Sequence, residues 1–381
     1  MVRQVSNYGN SRHMAQKRSN SPFVVLILLC CSMTWVACQD HQPKAKRKQM
    51  EEKFDWSPGV GVANLYPMEL YHCSFIYPDG GSIGPAAPNL ENGTWGQENG
   101  SSVVGDVLKP IPVALEISWL SYTENKFYKG HFQLPQDRIL HLFKQGFKEM
   151  VRDDDGEYKL DHRDYNSIVA GMAPGGVVVV WVNGGAANVD IGRFQAVETK
   201  VRMEDFAPSA FTNDQTKYVK AMMKEDKEVV DNLAKNGVPF GLWDKYRERF
   251  MQRPVFKFDP AHHIKTNNIH VSYFNGEREA LYFGEWAKNE FKLRARVKEL
   301  RLGWTDSSAG KMKNYVLEMK FDEAEMFRAY KEVYGVNPDQ NAELITEIDK
   351  TSKYKVYLQV GNKKLELVDH KGQIYDDHVD K

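Results

Sequence analysis

The sequence predicts an α+β protein built predominantly from antiparallel sheets, with helices packed on one face and an internal duplication of a strand-strand-helix-hairpin unit. Three observations predict it. Short apolar runs recur along the chain and are broken by Gly, Pro and Asn turns. Three segments with helical apolar spacing stand among them. Tight turns, not helix-length crossovers, separate many of the runs, so nothing reads as a series of βαβ units. The chain has 381 residues, 42% hydrophobic and 12% aromatic. That composition builds a packed core and argues against disorder. Its 51 basic and 51 acidic side chains cancel, which leaves no basic footprint for nucleic acid. Four cysteines are too few for a disulfide scaffold.

Residues 1–37 read as a lipoprotein signal peptide. Arg12, Lys17 and Arg18 precede an apolar run from Phe23 to Cys31, and no acidic residue stands before Asp40. Ala37 is followed by Cys38, which resembles a lipobox, although Trp35 replaces the usual Leu. The alternatives are an uncleaved anchor and a plain signal peptide. Phe23 to Ala37 is only 15 residues, short of the roughly 20 a spanning helix needs. Cleavage before Cys38 removes Arg3, Arg12, Lys17 and Arg18 and no acid, so the mature chain is acidic. Acylated Cys38, carrying palmitate-like chains, would be its membrane anchor. Gln39, where Asp would favour the inner membrane, points to the outer membrane facing the periplasm. Residues 38–53 are polar and charged and read as a flexible tether, with Lys44–Lys48 as the alternative anionic-lipid contact.

Residues 54–200 form the first expected α+β unit. Strands are expected at Gly59–Tyr66, Glu69–Tyr77, Ala114–Tyr122 and Phe127–Leu134. Pro78–Asp106, rich in Gly, Pro, Asn and Ser, reads as a long exposed loop. A helix follows Pro135, with Ile139, Leu140, Phe143, Phe147 and Met150 on one face. Val177–Val182 and Val189–Ala196 flank Asn183-Gly184-Gly185, a hairpin signal. Residues 201–253 read as a helical connector, with one helix from Asp214 to Lys235 stopped by Asn236-Gly237. Residues 254–381 form the second unit, with a helix from Asp322 to Tyr334. The duplication rests on three matches. Ala114–Trp119 lies over Glu299–Trp304, Leu134–Phe143 over Phe321–Tyr330, and Phe54–Trp56 over Phe256–Phe258.

The search for chemistry finds no catalytic signature, and the chain is expected not to be an enzyme and to need no cofactor. Gly171–Gly176 is glycine-rich but lacks the Lys-Ser/Thr of a P-loop. Asp153-Asp154-Asp155-Gly156 lacks the closing Glu of a calcium loop. His262, His263 and His270 are the only metal candidates, and adjacent histidines on a strand point to opposite faces. Cys73 reads as a small buried hydrophobe. Gly241–Phe250 is dense in aromatics and arginine. If helical, Trp243, Tyr246, Arg247 and Phe250 share one face. That face is either a partner-binding hot spot or the core-facing side of a helix joining the two halves.

Several segments together carry a resemblance: Cys38, Phe54-Asp55-Trp56, Leu115–Tyr122, Phe127–Gly130, Ala173–Trp181, Ile191–Phe194 and Pro239–Tyr246. The chain resembles an uncharacterised family of Gram-negative lipoproteins, domain of unknown function 2931. The resemblance covers about residues 54–256 and implies no catalytic residues. It implies that some members are immunity proteins, which bind and block a type VI secretion phospholipase effector in the periplasm. The other expectation is an envelope structural or sensing lipoprotein with no effector partner.

Overall fold

The run Val177–Trp181 is apolar at every position, the pattern of a strand buried on both faces, and it forms the centre of the protein. A computed structural model describes residues 52–85, 89–90, 93–98, 106–152, 158–224, 226–282, 289–310 and 312–376. Cys38, the tether to residue 51, and the acidic run Asp153–Gly156 lie outside the described residues. No described helix is long and apolar enough to cross a membrane.

The first stretch contains β1 (Lys53–Asp55), β2 (Ser57–Val62), β3 (Met68–Ile76), β4 (Ser82–Ile83), β5 (Asn89–Leu90) and β6 (Leu108–Pro110). It continues with β7 (Ala114–Ser121), β8 (Lys126–Gln133), α1 (Gln136–Gln145), β9 (Phe147–Arg152) and β10 (Tyr158–Arg163). β11 (Ser167–Ala173), β12 (Val177–Gly184), β13 (Ala187–Gln195) and β14 (Val197–Thr199) complete it. The connector holds α2 (Met203–Phe206), α3 (Gln215–Met223), α4 (Lys227–Asn236) and α5 (Leu242–Tyr246). The last stretch contains β15 (Phe250–Phe258), β16 (Ile264–Tyr273), β17 (Arg278–Tyr282), β18 (Lys292–Arg294), β19 (Val297–Asp306) and β20 (Lys313–Phe321). α6 (Glu323–Tyr334), β21 (Ala342–Ile348), β22 (Tyr354–Val360), β23 (Lys363–Leu367) and β24 (His370–Asp376) follow.

The protein is sheet-rich, and most strand pairs are antiparallel. In the first stretch β2-β11-β12-β13 is one row and β14-β8-β7-β3-β4 another. In the last stretch the rows are β15-β21-β22-β23 and β24-β20-β19-β16-β17. The row ending in β13 and the row ending in β17 fuse into one nine-stranded sheet, through the pair Asn188↔Arg278. Two pairs, β2–β11 and β15–β21, are parallel.

Each set of rows encloses a core. Val178, Val180 and Val182 face one, with Leu115, Ile117, Trp119 and the α1 residues Ile139 and Phe143. Val177, Val179 and Trp181 face the other, with Leu300, Leu302, Trp304, Leu344, Leu358 and the α6 residues Met326 and Tyr330. A third, smaller cluster lies under the connector, where Tyr218 and Val219 of α3 meet Leu120 and Phe127.

Four local expectations are corrected. The helix after Pro135 stops at Gly146, and Phe147 and Met150 lie in β9. The expected helix 214–235 is two helices, because Asp226 caps a second one by accepting from the Val229 N–H, just as Asp214 caps the first through Lys217. The hairpin turn is Gly185-Ala186, while Asn183 stays in β12 opposite Asn188. The loop 78–106 is not wholly exposed, because its Trp95 is 8% exposed and meets Trp181 edge-on at 4.8 Å.

Candidate functional site

Trp95 is followed by Gly96, and the two halves meet there. Gly96 and Gly276 approach so closely that a Cβ on Gly96 would lie 2.5 Å from the Gly276 Cα. Both take positive φ, +85° and +87°, which glycine adopts without a Cβ penalty. The Asn188 amide donates to both carbonyls, at 2.6 Å to Gly96 and 2.5 Å to Gly276. The Trp181 indole N–H donates to the Asn275 carbonyl at 3.1 Å.

The segment after Gly237 closes over this junction. Gly241 takes φ +80° and opens α5. The helix holds only Leu242–Tyr246, so Arg247 stands at its C-terminus and Phe250 begins β15. Trp243 is 2% exposed and meets Tyr66 edge-on at 5.4 Å. Tyr246 is also buried, stacks on Phe274 at 5.6 Å and donates its hydroxyl to Glu323 at 2.6 Å. Burial, reinforced by the Glu323 charge, pushes the Tyr246 phenol well above its usual range. Trp243 and Tyr246 therefore form the floor of the junction, and of the three expected site residues only Arg247 keeps part of its side chain at the surface.

Two reciprocal ion pairs clamp α5 to β13. Arg247 makes a forked pair with Asp190, at 2.6 and 3.1 Å, and Arg193 makes one with Asp244, at 2.8 and 3.2 Å. Each strand or helix segment supplies one acid and one arginine, which fixes both position and direction. Burial raises the Asp190 carboxyl above its usual range, and Arg247 opposes that rise. Beside the clamp, Phe240 packs near the Pro174-Gly175-Gly176 turn and stays 65% exposed. That turn is itself held. The Gly175 N–H donates to Glu124 at 3.1 Å, and Glu124 also accepts from the hydroxyls of Ser121 and Tyr128.

Three segments distant in sequence thus converge on one place: residues 174–176, 190–194 and 239–247. They are among the segments that carried the resemblance. A family model described as "protein of unknown function (DUF2931)" matches residues 40–241. The chain belongs to this family. The DUF2931 match covers the first stretch and the connector through Gly241, so Trp243, Tyr246 and Arg247 stand just beyond it. No curated protein and no solved structure matches the chain.

The DUF2931 junction offers rigidity and one exposed aromatic. Its carboxylates and guanidinium groups are committed to each other. Among the described residues, no three His, Cys, Asp or Glu side chains converge as metal ligands. Of the metal candidates, His262 is held between Asp306 at 2.7 Å and the Asp349 carbonyl at 3.0 Å, and His270 lies on the outer face of β16. Cys73 packs against the first core, and burial pushes its thiol far up, away from the reactive thiolate. Sequence reasoning missed Asn188, Asp190 and Trp95. A lone Trp-Gly step inside a polar loop was the one available signal for Trp95.

Proposed function

We propose that this DUF2931 chain is a lipid-anchored, periplasm-facing binding protein, and that its partner is a phospholipase effector of type VI secretion. The anchor is Cys38, and binding, not catalysis, is the activity. The observation that carries the binding reading is Phe240. A large aromatic exposed on a turn braced by Gly175 on one side and by the Arg193–Asp244 pair on the other is a pre-organised anchor for a protein partner. Trp243 and Tyr246 act beneath it by fixing the turn, and Arg247 contributes its exposed edge. The acidic mature chain would steer a basic partner.

The test uses the full-length chain in detergent and the product of the adjacent reading frame, assayed for phospholipase activity. Crosslinked co-purification with loss of phospholipase activity is the expected result. Phe240→Ser should weaken capture by at least tenfold without moving the melting temperature. Capture of resident envelope proteins instead, with lipase activity untouched, would overturn the effector reading in favour of a structural or sensing lipoprotein.

We also infer that residues 54–200 and 254–381, the second taken back to Phe250 where β15 begins, are copies of one unit joined by the connector, with a helix on one face of each. The support is the identical order of pairing: β3 between β7 and β4 as β16 lies between β19 and β17, and β2 parallel to β11 as β15 is to β21. Trp119 stacks on Tyr128 at 5.4 Å and 28°, and Trp304 on Tyr315 at 5.5 Å and 23°. The strand pairs β1–β6 and β15–β18 align Phe54 with Phe250, not with Phe256. Trp56 and Gln252 then fall together, and each donates a side-chain N–H to a backbone carbonyl, Pro110 and Ala295 respectively.

A further inference from the structure

The outer face of β7 and β8 is partly roofed, because Leu120 and Phe127 are covered by α2 and α3. The corresponding face of β16, β19, β20 and β24 has no helix over it among the described residues. Its side chains are polar where the opposite face is apolar. Arg301, Glu318, Lys320 and Lys371 alternate with the core residues Leu300, Leu302, Leu317 and Met319. The face carries an open groove of about 620 Å³.

Its lining carries three cations, Arg301, Lys320 and Lys371, against two carboxylates, Glu299 and Glu318. Glu318 is already committed, accepting from Arg301 at 3.1 Å and from the Tyr375 hydroxyl at 2.7 Å. Glu299 is shared between Lys298 at 3.7 Å and Lys320 at 4.0 Å. Lys371 has no ion-pair partner among the described residues. Arg278, opposite Ser272 in the β16–β17 pair, stands on the neighbouring strand and lines a separate, smaller pocket. The field is felt by His270 at the cavity wall, whose imidazole is pushed down to about 4 by burial and by Arg301 and Arg278.

We propose that this groove binds a small, multiply anionic ligand bearing phosphate or carboxylate groups, held by Arg301, Lys320 and Lys371, with Ser272 as an additional donor. It is lined by β16, β19, β20 and β24, whereas Phe240 lies in the connector, and it is independent of the effector reading. A lining of three cations and two carboxylates, with Lys371 outside any ion pair among the described residues, attracts a compact anion that Arg301 and Lys320 can share with their carboxylate partners.

The experiment titrates the full-length chain in detergent with pyrophosphate and with citrate by calorimetry, at constant ionic strength set with sodium chloride. Saturable one-to-one binding of either probe is expected. Tighter pyrophosphate assigns the site to phosphate ligands and tighter citrate to carboxylate ligands. The Lys320→Gln/Lys371→Gln double variant should raise the dissociation constant at least tenfold, with the melting temperature of the free protein unchanged. Lys159→Gln/Lys200→Gln, remote from the groove, should bind as the parent does. Heats no larger than those of matched sodium chloride would overturn the proposal, and so would equal losses in the two double variants.

Discussion

Gly96→Ala tests the junction between the two halves most directly. A Cβ there would sit 2.5 Å from both the Cα and the carbonyl oxygen of Gly276. Ordinary contact begins near 3.4 Å, so backbone on one side must retreat by almost 1 Å. Three costs follow. An alanine at φ +85° costs about 1 kcal/mol. Relieving the collision costs about 1–3 kcal/mol, as over-packing generally does. The Gly96 carbonyl also accepts from Asn188 at 2.6 Å and Asn183 at 3.2 Å, and stretching these bonds costs up to about 1 kcal/mol each. The expected loss is about 2–6 kcal/mol, a large share of a typical folding free energy. Gly80→Ala is the matched control, because Gly80 has φ +88° and nothing within 4 Å of its added Cβ. It should lose only the conformational part, about 1 kcal/mol. Urea unfolding followed by tryptophan fluorescence measures both, with Trp95 and Trp181 reporting from the junction itself. Equal losses in the two variants would refute the close-approach argument.

Trp243→Ala should cost about 3–5 kcal/mol of stability, and Tyr246→Phe about 1 kcal/mol through the lost Glu323 bond; circular dichroism melts check both. If Trp243→Ala left the melting temperature unchanged, its role as floor would be wrong. His262 is held above its ordinary value near 6.5 by the Asp349 carbonyl, with burial opposing and Asp306 assisting. Its stabilisation is therefore fully present below about pH 6.5 and is lost as the pH rises through the folded value. His262→Asn should cost about 1–2 kcal/mol at pH 5.5 and progressively less as the pH rises above the ordinary histidine range, as read by denaturation at each pH. Cys38→Ser should abolish metabolic palmitate labelling while leaving a folded protein, and persistent labelling would sink the anchor assignment.

Local elements were legible where a single pattern sufficed. The unbroken Val177–Trp181 run marked a buried strand, and Asn183–Gly185 marked a hairpin within two residues of its turn. The parallel pairs β2–β11 and β15–β21 were not legible, because their partners stand about a hundred residues apart and tight turns bias a reader toward antiparallel neighbours. The site was half legible. The spacing of Trp243, Tyr246 and Arg247 revealed an apolar face but not what covers it, since a core and a partner select the same residues. Their burial followed only once Tyr66, Asp190 and Glu323, from three separate parts of the chain, came together around them.

β12 supplies a wall to both cores, and that has a consequence for the order of folding. The last stretch, from Phe250 onward, does not own all of its interior: Val179 and Trp181 come from β12, Trp95 from the loop between β5 and β6, and Trp243 from the connector. Synthesised from the N-terminus, the chain completes the strand that the second core requires before the second stretch exists. A fragment beginning at Phe250 would expose the place where Trp181 belongs and behave as a loosely packed state. The first stretch can therefore serve as a template for the last, but the last cannot serve as a template for the first.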